Sequence, residues 1–392
     1  MQQWAIQALA VAMVVFATPL FLDLAICIVG NLLRARGPHA AQRRTICLAV
    51  VVPAHDEETI IARTVRSLKA ADAATQIYVV THNCSDATGA VAAKAGAVIV
   101  KLKNPKLRGK GAALRHGFAA ALEAGANAVL VVDADSVVSS NLISATRTKL
   151  EEGAEVTQCR YELELPADGS GRPMARLRTL AFRGMNVLRA RGRAGLGFST
   201  GLFGNGFALT ARTLAHVPFS ANSIAEDVEY HTKLACEGVR VYWVGDAFVH
   251  AHMAASSRAQ ATQEGRWEGG RFKVGSRATG HLIAAVLQGR WRAVETLADV
   301  WSLPLSRGIL ALLLMAAVPL HWLHVFAVIC GGIALIYVLE SALLGEKPMR
   351  DLVSLAAAPL YLVWKVAITP IVLLQSRSRA EWARTKREAP QP

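Results

Sequence analysis

Residues 4–33 of this 392-residue chain are almost wholly apolar, interrupted chiefly by Thr18-Pro19 and Asp23. At about 1.5 Å per residue, a helix over this stretch reaches across a bilayer core of about 30 Å. No Lys or Arg precedes it and no small-residue cleavage site follows, so it does not read as a removed signal peptide. Arg34, Arg36, Arg43 and Arg44 come next, which puts the N-terminus outside and the following domain in the cytoplasm. A second apolar block, 308–344, is too long for one helix and is broken in the middle by Pro319, His321 and His324. It predicts two antiparallel spans, near 306–322 and 324–344. The segment 352–374 carries Pro359, Lys365 and Pro370, and a basic tail (Arg377, Arg379, Arg384, Lys386, Arg387) follows it. Keeping that tail cytoplasmic requires an even number of C-terminal crossings. The expectation is therefore three transmembrane helices, with 352–374 interfacial or re-entrant, in a multi-pass inner-membrane protein.

Charge agrees with this reading. Lys plus Arg number 43 and Asp plus Glu 29, so 43 − 29 leaves +14. Two of the basic clusters abut apolar runs, and no zinc-finger spacing, helix-turn-helix signature or aromatic RNA-binding motif accompanies any of them. A membrane surface and phosphate-bearing substrates account for the charge, and no nucleic-acid partner is expected. A hydrophobic content of 53% excludes a disordered chain. The six cysteines are scattered without a Cys-x-x-Cys pair, so neither a disulfide framework nor a zinc knuckle is expected.

Between the apolar blocks, strand and helix patterns alternate. Residues 46–55 form a continuous apolar run of the kind buried on both faces of a sheet. Strands at 76–83, 97–102 and 128–135 follow, with helices over 87–95 and 110–124 between them. This predicts an α/β domain whose mostly parallel sheet carries helices on both sides, and such sheets bind ligands beyond the carboxyl ends of their strands. Acids stand at three of those ends: Asp56, Glu57 and Glu58 after the first strand, Asp86 after the second, Asp133 and Asp135 after the fourth. Asp86 alone could simply cap the following helix. Asp-x-Asp after an apolar strand puts two carboxylates within reach of one hard cation, Mg²⁺ or Mn²⁺, which prefers oxygen ligands together with substrate phosphate.

An ordered set of motifs lies on these elements: VPAHDEE (52–58), HNCSD (82–86), NPKLRGKGAALRHGF (104–118), VVDAD (131–135), GLFGNGFAL (201–209), AED (225–227) and QEGRW (263–267). In this order the chain resembles the membrane-bound family 2 glycosyltransferases, the group of the cellulose, chitin and hyaluronan synthases. The resemblance covers roughly residues 46–275 and implies a glycosyltransferase-A (Rossmann-like) cytoplasmic domain with N- and C-terminal transmembrane helices. The implied organisation is a transmembrane helix over 1–34, the catalytic domain over 45–250 and a Gln-x-x-Arg-Trp segment with interfacial helices over 251–304. Two transmembrane helices over 305–345 and the interfacial segment with its tail over 346–392 complete it.

The resemblance also assigns roles. Ala54, His55 and Glu57 would contact the nucleotide, Asp86 its uracil or ribose side, and Asp133 the sugar and diphosphate. Asp135 would hold the metal, and Asp227 would be the general base. Glu226, Gln263 and Trp267 would stand on the acceptor side, with Arg266 beside the diphosphate. Ala225 replaces the threonine that the better-known synthases have in the Thr-Glu-Asp motif, and the base is retained. Beyond the motifs, Lys110 could touch phosphate, although the spacing is not that of a P-loop. The glycines of 201–206 would let Gly204, Asn205 and Phe203 approach a sugar, and His250 could complete the metal shell.

The reaction implied is transfer from a nucleoside-diphosphate sugar, with UDP-glucose the leading donor, by a single inverting displacement. An acceptor hydroxyl must lose its proton to a carboxylate, and a cation and an arginine must meet the departing diphosphate. The product would be a cell-surface polysaccharide, and three spans leave no room for a secretion channel, so export would need a partner pore. Single addition to a polyprenyl- or lipid-linked acceptor is the nearer alternative. A non-catalytic sugar-nucleotide sensor is the remote one, and it has no use for a base at Asp227.

Overall fold

The computed structural model describes residues 2–38, 43–107, 109–165, 173–252 and 257–370. Its centre is an eight-stranded mixed sheet. In chain order the strands are β1 (Leu48–Ala54), β2 (Ile77–His82), β3 (Val98–Leu102), β4 (Ala128–Val131), β5 (Ser136–Val138), β6 (Val156–Glu164), β7 (Phe207–Thr210) and β8 (Val241–His252). Across the sheet they run β3-β2-β1-β4-β7-β6-β8-β5.

The first four strands are parallel, as the apolar runs predict. Every residue of β1 is buried. Val50 and Val52 face one core with Ile61, Val65 and Leu142, while Ala49 and Val51 face the other with Leu114 and Phe118. The helix Lys110–Glu123 lies directly on the sheet because Gly117 permits it: a Cβ there would stand 2.4 Å from Val51 Cγ1.

Beyond β4 the sheet turns antiparallel. β7 pairs antiparallel with both β4 and β6, β6 pairs parallel with β8, and β5 closes the far edge antiparallel to β8. A mostly parallel sheet is therefore only half of the architecture. The direction matters for function: β7 begins, and β8 ends, at the edge where β1, β2 and β4 end. Loops from both halves consequently converge on one rim.

Among the described residues, two helices are long and apolar enough to cross a membrane, Gln2–Asn31 near the N-terminus and another in the C-terminal part. The first, Gln2–Asn31, includes Pro19, and the second is His321–Leu343. Between them, Leu305–Ala316 has 12 residues, about 18 Å, too short for a bilayer core of about 30 Å. It meets the amphipathic helix Arg292–Trp301 at 67°, and only the bent pair together reaches the length of a span. Leu305–Ala316 packs against His321–Leu343, and the turn between them ends where that second helix begins, at His321. Residues 348–370 form a broken helix, Pro348–Ser354 and Ala358–Ala367 joined by a 3₁₀ turn, rather than a continuous span. The basic tail past 376 lies outside the described residues.

The N-terminal helix packs on the helix Arg189–Leu196 through glycines. A Cβ on Gly192 would lie 2.3 Å from the Cys27 carbonyl oxygen, and one on Gly195 2.1 Å from that of Gly30. Charges lock the same contact. Asp23 accepts hydrogen bonds from Arg189 Nε at 2.5 Å and Arg193 Nη2 at 2.6 Å. Both arginines also pair with Asp299, which accepts from Arg271 Nη2 at 2.5 Å. Nearby, the π-helical turn Gly184–Leu188 meets the helix His321–Leu343, where the Tyr337 hydroxyl donates to the Gly184 carbonyl at 2.5 Å.

Gly192→Ala should force these helices apart and lower stability in detergent by about 3 kcal/mol. Gly331→Ala, where a Cβ meets nothing within 4 Å, should be neutral or stabilising by up to about 1 kcal/mol. Thermal unfolding of the two purified variants checks this.

Candidate active site

Three loops meet at the shared rim. β4 delivers Asp133 and Asp135, the loop before β7 delivers 201–206, and the helix Glu226–Cys236 opens with Glu226 and Asp227. Lys110, the first residue of its helix, stands between them. Its Nζ lies 2.6 Å from Asp133 Oδ1 and 3.4 Å from Glu226 Oε1, and it donates to the Gly204 carbonyl at 2.5 Å. Gly204 has φ +77°, and a Cβ there would sit 3.1 Å from Asp227 Oδ2. Asp227 thus presents one oxygen toward the 201–206 loop, while its Oδ1 accepts the Val228 amide at 2.8 Å.

The carboxylates outnumber the ammonium that joins them. Burial raises the proton affinity of Asp133; Lys110 opposes this and Asp135 adds to it. Burial likewise raises Glu226, with Lys110 opposing and Asp227 adding. It raises Asp227 too, against the Val228 amide and Lys110. Burial works to lower Lys110, but Asp133 and Glu226 outweigh it and hold the amine charged, above its ordinary value. Such an excess of negative charge in a cleft is relieved by a further cation. Asp135, buried with Ser136 Oγ 3.4 Å from its Oδ1, supplies the hard oxygen that Mg²⁺ or Mn²⁺ prefers. The residues present fit a dication.

The other sequence-predicted residues fall into groups. Asn205 is wholly buried, and its amide spans the acid loop: Oδ1 accepts from the Asp133 amide at 3.1 Å and Nδ2 donates to Ser136 Oγ at 2.9 Å. Its place is beneath the carboxylates rather than on the acceptor surface. Phe203, half-buried, packs with Val187, Ala190 and Trp243. Ala54 is buried at the end of β1, and His55 Nδ1 lies 2.7 Å from the His82 carbonyl. The Glu57 amide donates to Thr88 Oγ1 at 2.8 Å. The Asp86 carboxylate accepts from the amides of Glu58 at 3.1 Å and Thr88 at 2.9 Å, so it does act as a helix-start cap. These residues form a second patch of the same rim, over the ends of β1 and β2.

His250 pairs in register with Val137 and stacks on Phe248, ring centroids 4.3 Å apart. In the same ladder Ala251 pairs with Ser136, which places the backbone of His252 next to the position of Asp135. Gln263 and Trp267 lie on the long helix Ser257–Leu287. Trp267 is 41% exposed and tilts against Phe182, 5.8 Å between centroids. Arg266 belongs to this helix, and its side chain lies outside the described residues.

One contributor escapes sequence reasoning. Gln158, fully buried on β6, holds the 203–206 loop from below: it accepts from the Phe203 amide at 3.0 Å and donates to the Asn205 carbonyl at 2.7 Å. No motif surrounds it, and only a buried amide in an otherwise apolar strand start hints at it. Asp56 takes φ +54° and accepts from the Ser85 amide at 2.7 Å. Together with Cys84 and Asp86 it offers ligand atoms all within 4.8 Å of one another.

The sequence profile of the family described as "Glycosyltransferase like family 2" matches residues 45–270, more than half of the chain and the whole of this sheet and rim. The chain belongs to glycosyltransferase family 2. The glycosyltransferase is 31% identical over 94 residues to Protein RfbJ of Shigella flexneri, a match covering 24% of this chain and 68% of that one. A solved mannosyltransferase, PcManGT from Pyrobaculum calidifontis in complex with GDP-mannose and Mn²⁺, superposes on it with TM-score 0.55 at 16% identity. That match covers 95% of this chain and 97% of the other. Glucosyl-3-phosphoglycerate synthase from Mycobacterium tuberculosis, solved with Mn²⁺ and UDP, matches at 22% identity with TM-score 0.37, over 56% and 78% of the two chains. The fold is the glycosyltransferase-A fold.

Removing the ammonium tests the electrostatics of this glycosyltransferase. A carboxyl whose folded proton affinity is raised binds more protons folded than unfolded, so stability falls as pH rises from its ordinary value through the raised one. Lys110→Met enlarges that effect at Asp133, Glu226 and Asp227. The variant should lose about 3 kcal/mol against wild type at pH 8, and much less at pH 4, by thermal unfolding without added metal.

Proposed function

We propose that this glycosyltransferase transfers a hexose from a nucleoside-diphosphate sugar to an acceptor hydroxyl with inversion. It would act at the cytoplasmic face of the inner membrane, in the building of a cell-surface glycan. The observation that carries the reading is the convergence of Asp133, Glu226 and Asp227 on Lys110 at the carboxyl rim of the sheet. PcManGT, alike over nearly its whole length, binds GDP-mannose and Mn²⁺. That supports a nucleotide sugar and a dication in the corresponding cleft here, with UDP-glucose or GDP-mannose as the donors to try first.

In this proposal the nucleotide lies over the ends of β1 and β2, along Ala54, His55, Glu57 and Asp86. Asp133 and Lys110 face the sugar and the inner phosphate. Asp135, together with His250 from the end of β8, would hold Mg²⁺ or Mn²⁺, which would supply positive charge to the departing diphosphate. Arg266 would add to that charge from the long helix. On the opposite side, Asp227 Oδ2 takes the proton of the acceptor hydroxyl as its oxygen bonds to the anomeric carbon and the carbon–oxygen bond to diphosphate breaks. The raised proton affinity of Asp227 suits a base that must accept a proton near neutral pH. The first turn of its helix and the Val228 amide work in the other direction and favour its ionised form. Glu226, Gln263, Trp267 and the Phe203–Gly204 backbone line the acceptor side, and Asn205 holds the acid loop in place.

A second reading concerns the acceptor. Among the described residues, two helices and one bent pair can span, too few to enclose a pore for a growing chain. This favours single addition to a lipid-linked acceptor, or a separate export partner, over polymerisation through the protein itself.

Asp227→Asn should lower turnover at least about 10³-fold while leaving UDP or GDP affinity within about threefold. Chelation of divalent metal by EDTA should abolish transfer, and added Mn²⁺ should restore it. Released nucleoside diphosphate, measured against a panel of nucleotide sugars, reads out both. Wild-type-like turnover by Asp227→Asn removes that residue from the role of base.

A further inference from the structure

A lysine inside an apolar stretch is expensive unless something holds it. Lys365 interrupts such a stretch, lies on the helix Ala358–Ala367, and is 9% exposed. It pairs with two acids of the helix Ser257–Leu287: Glu264, in a short contact, and Glu268 at 3.0 Å. These acids are four residues apart, on one face of the helix that bears Gln263 and Trp267.

Further contacts fix the same face. Arg307 reaches Glu268 at 2.7 Å, and Arg178 reaches Glu264 at 3.9 Å while lying over the ring of Trp364, 4.2 Å from its centroid. Two residues beyond Glu268 the helix bears on the segment that leads to the base. A Cβ on Gly270 would stand 2.7 Å from Ile224 Cγ2 and 3.0 Å from Ala225 Cβ, so the helix rests on the residues just ahead of Glu226-Asp227.

We propose that Lys365 is a positioning residue. By clasping Glu264 and Glu268 it sets the rotation of the helix Ser257–Leu287, and with it the place of Gln263 and Trp267 and the packing of Gly270 behind Asp227. Lys365 touches neither donor nor acceptor; it acts through the helix. The charge is what matters, because a neutral side chain would leave the two acids with only Arg307 and Arg178 to offset them and would loosen the helix. Displacement of about 1 Å at an acceptor-side group is enough to slow a displacement reaction severalfold to a hundredfold.

The kinetic part of this inference rests on the transfer reading above, and the structural part does not. The experiment compares wild type, Lys365→Met, Lys365→Arg and the control Gly280→Ala. The control lies on the same helix, where a Cβ meets nothing within 4 Å. Hydrogen exchange and steady-state kinetics are measured on full-length protein in detergent, with the nucleotide sugar that wild type consumes. In Lys365→Met, exchange should rise at least about fivefold over 263–275 and stay unchanged in β1, β2 and β4. Its kcat should fall about tenfold or more, with KM for the donor within about threefold. Lys365→Arg should recover most of both, and Gly280→Ala should match wild type. Unchanged exchange over 263–275 in Lys365→Met, or a rise shared equally by the central strands, overturns the proposal. So does unchanged kcat in that variant. If wild type consumes no nucleotide sugar, the functional reading fails by itself, and exchange still decides whether Lys365 holds the helix.

Discussion

Acids from two distant stretches of chain press against a single ammonium at the rim of the sheet, and this imbalance governs the site. Lys110 neutralises part of the charge of Asp133 and Glu226, with Asp227 and Asp135 close behind. Like charges held in a buried cleft repel, and the fold must hold them there by other means. It does so with uncharged supports: Asn205 ties Asp133 to Ser136, Gln158 ties down the loop ahead of β7, and Gly204 brings backbone where a side chain would strike Asp227. The result is a cleft poised for bound cations and, through them, for a diphosphate.

The supports extend to the apolar helices. Asp23 on the N-terminal helix, Asp299 on the amphipathic helix and three arginines form one buried network. Close glycine contacts bring backbone against backbone beside it. Pairs of this kind add little net stability relative to well-packed apolar residues, but breaking one leaves a buried charge. Their effect here is to fix how the sheet sits on the helices. Arg271 belongs to the same long helix that Lys365 contacts, so that helix is held by charged contacts as well as by apolar packing.

Much of the first half of the fold was legible because each strand buried on both faces reads as an unbroken apolar run. The run at 46–55 contains β1, and the pattern over 110–124 contains the helix Lys110–Glu123 almost to the residue. The second half was not legible in this way. β5 and β7 have only three and four residues, too short for a period to show, and β6 carries Thr157, Gln158, Arg160 and Glu162 among its apolar positions. Antiparallel pairing of β7 with β4 therefore came from the structure. Within the site, the acids were visible because carboxylates at strand ends are unusual. The neutral amides that position them were not: Asn205 looked like a surface contact within a glycine-rich loop, and Gln158 had no motif at all. The stretch 306–322 reads as a full span because hydropathy records how apolar a stretch is and not where it bends, and the helix there is only Leu305–Ala316.

The most direct test of the central claim is the location of the dication. Crystals of the protein grown with UDP or GDP and Mn²⁺ can be measured at the manganese absorption edge. The account predicts an anomalous peak at bonding distance from Asp135, with the diphosphate on its other side and Lys110 retained beside Asp133. A peak instead within the Asp56, Cys84 and Asp86 group, or a diphosphate bound with no metal near Asp135, would contradict it.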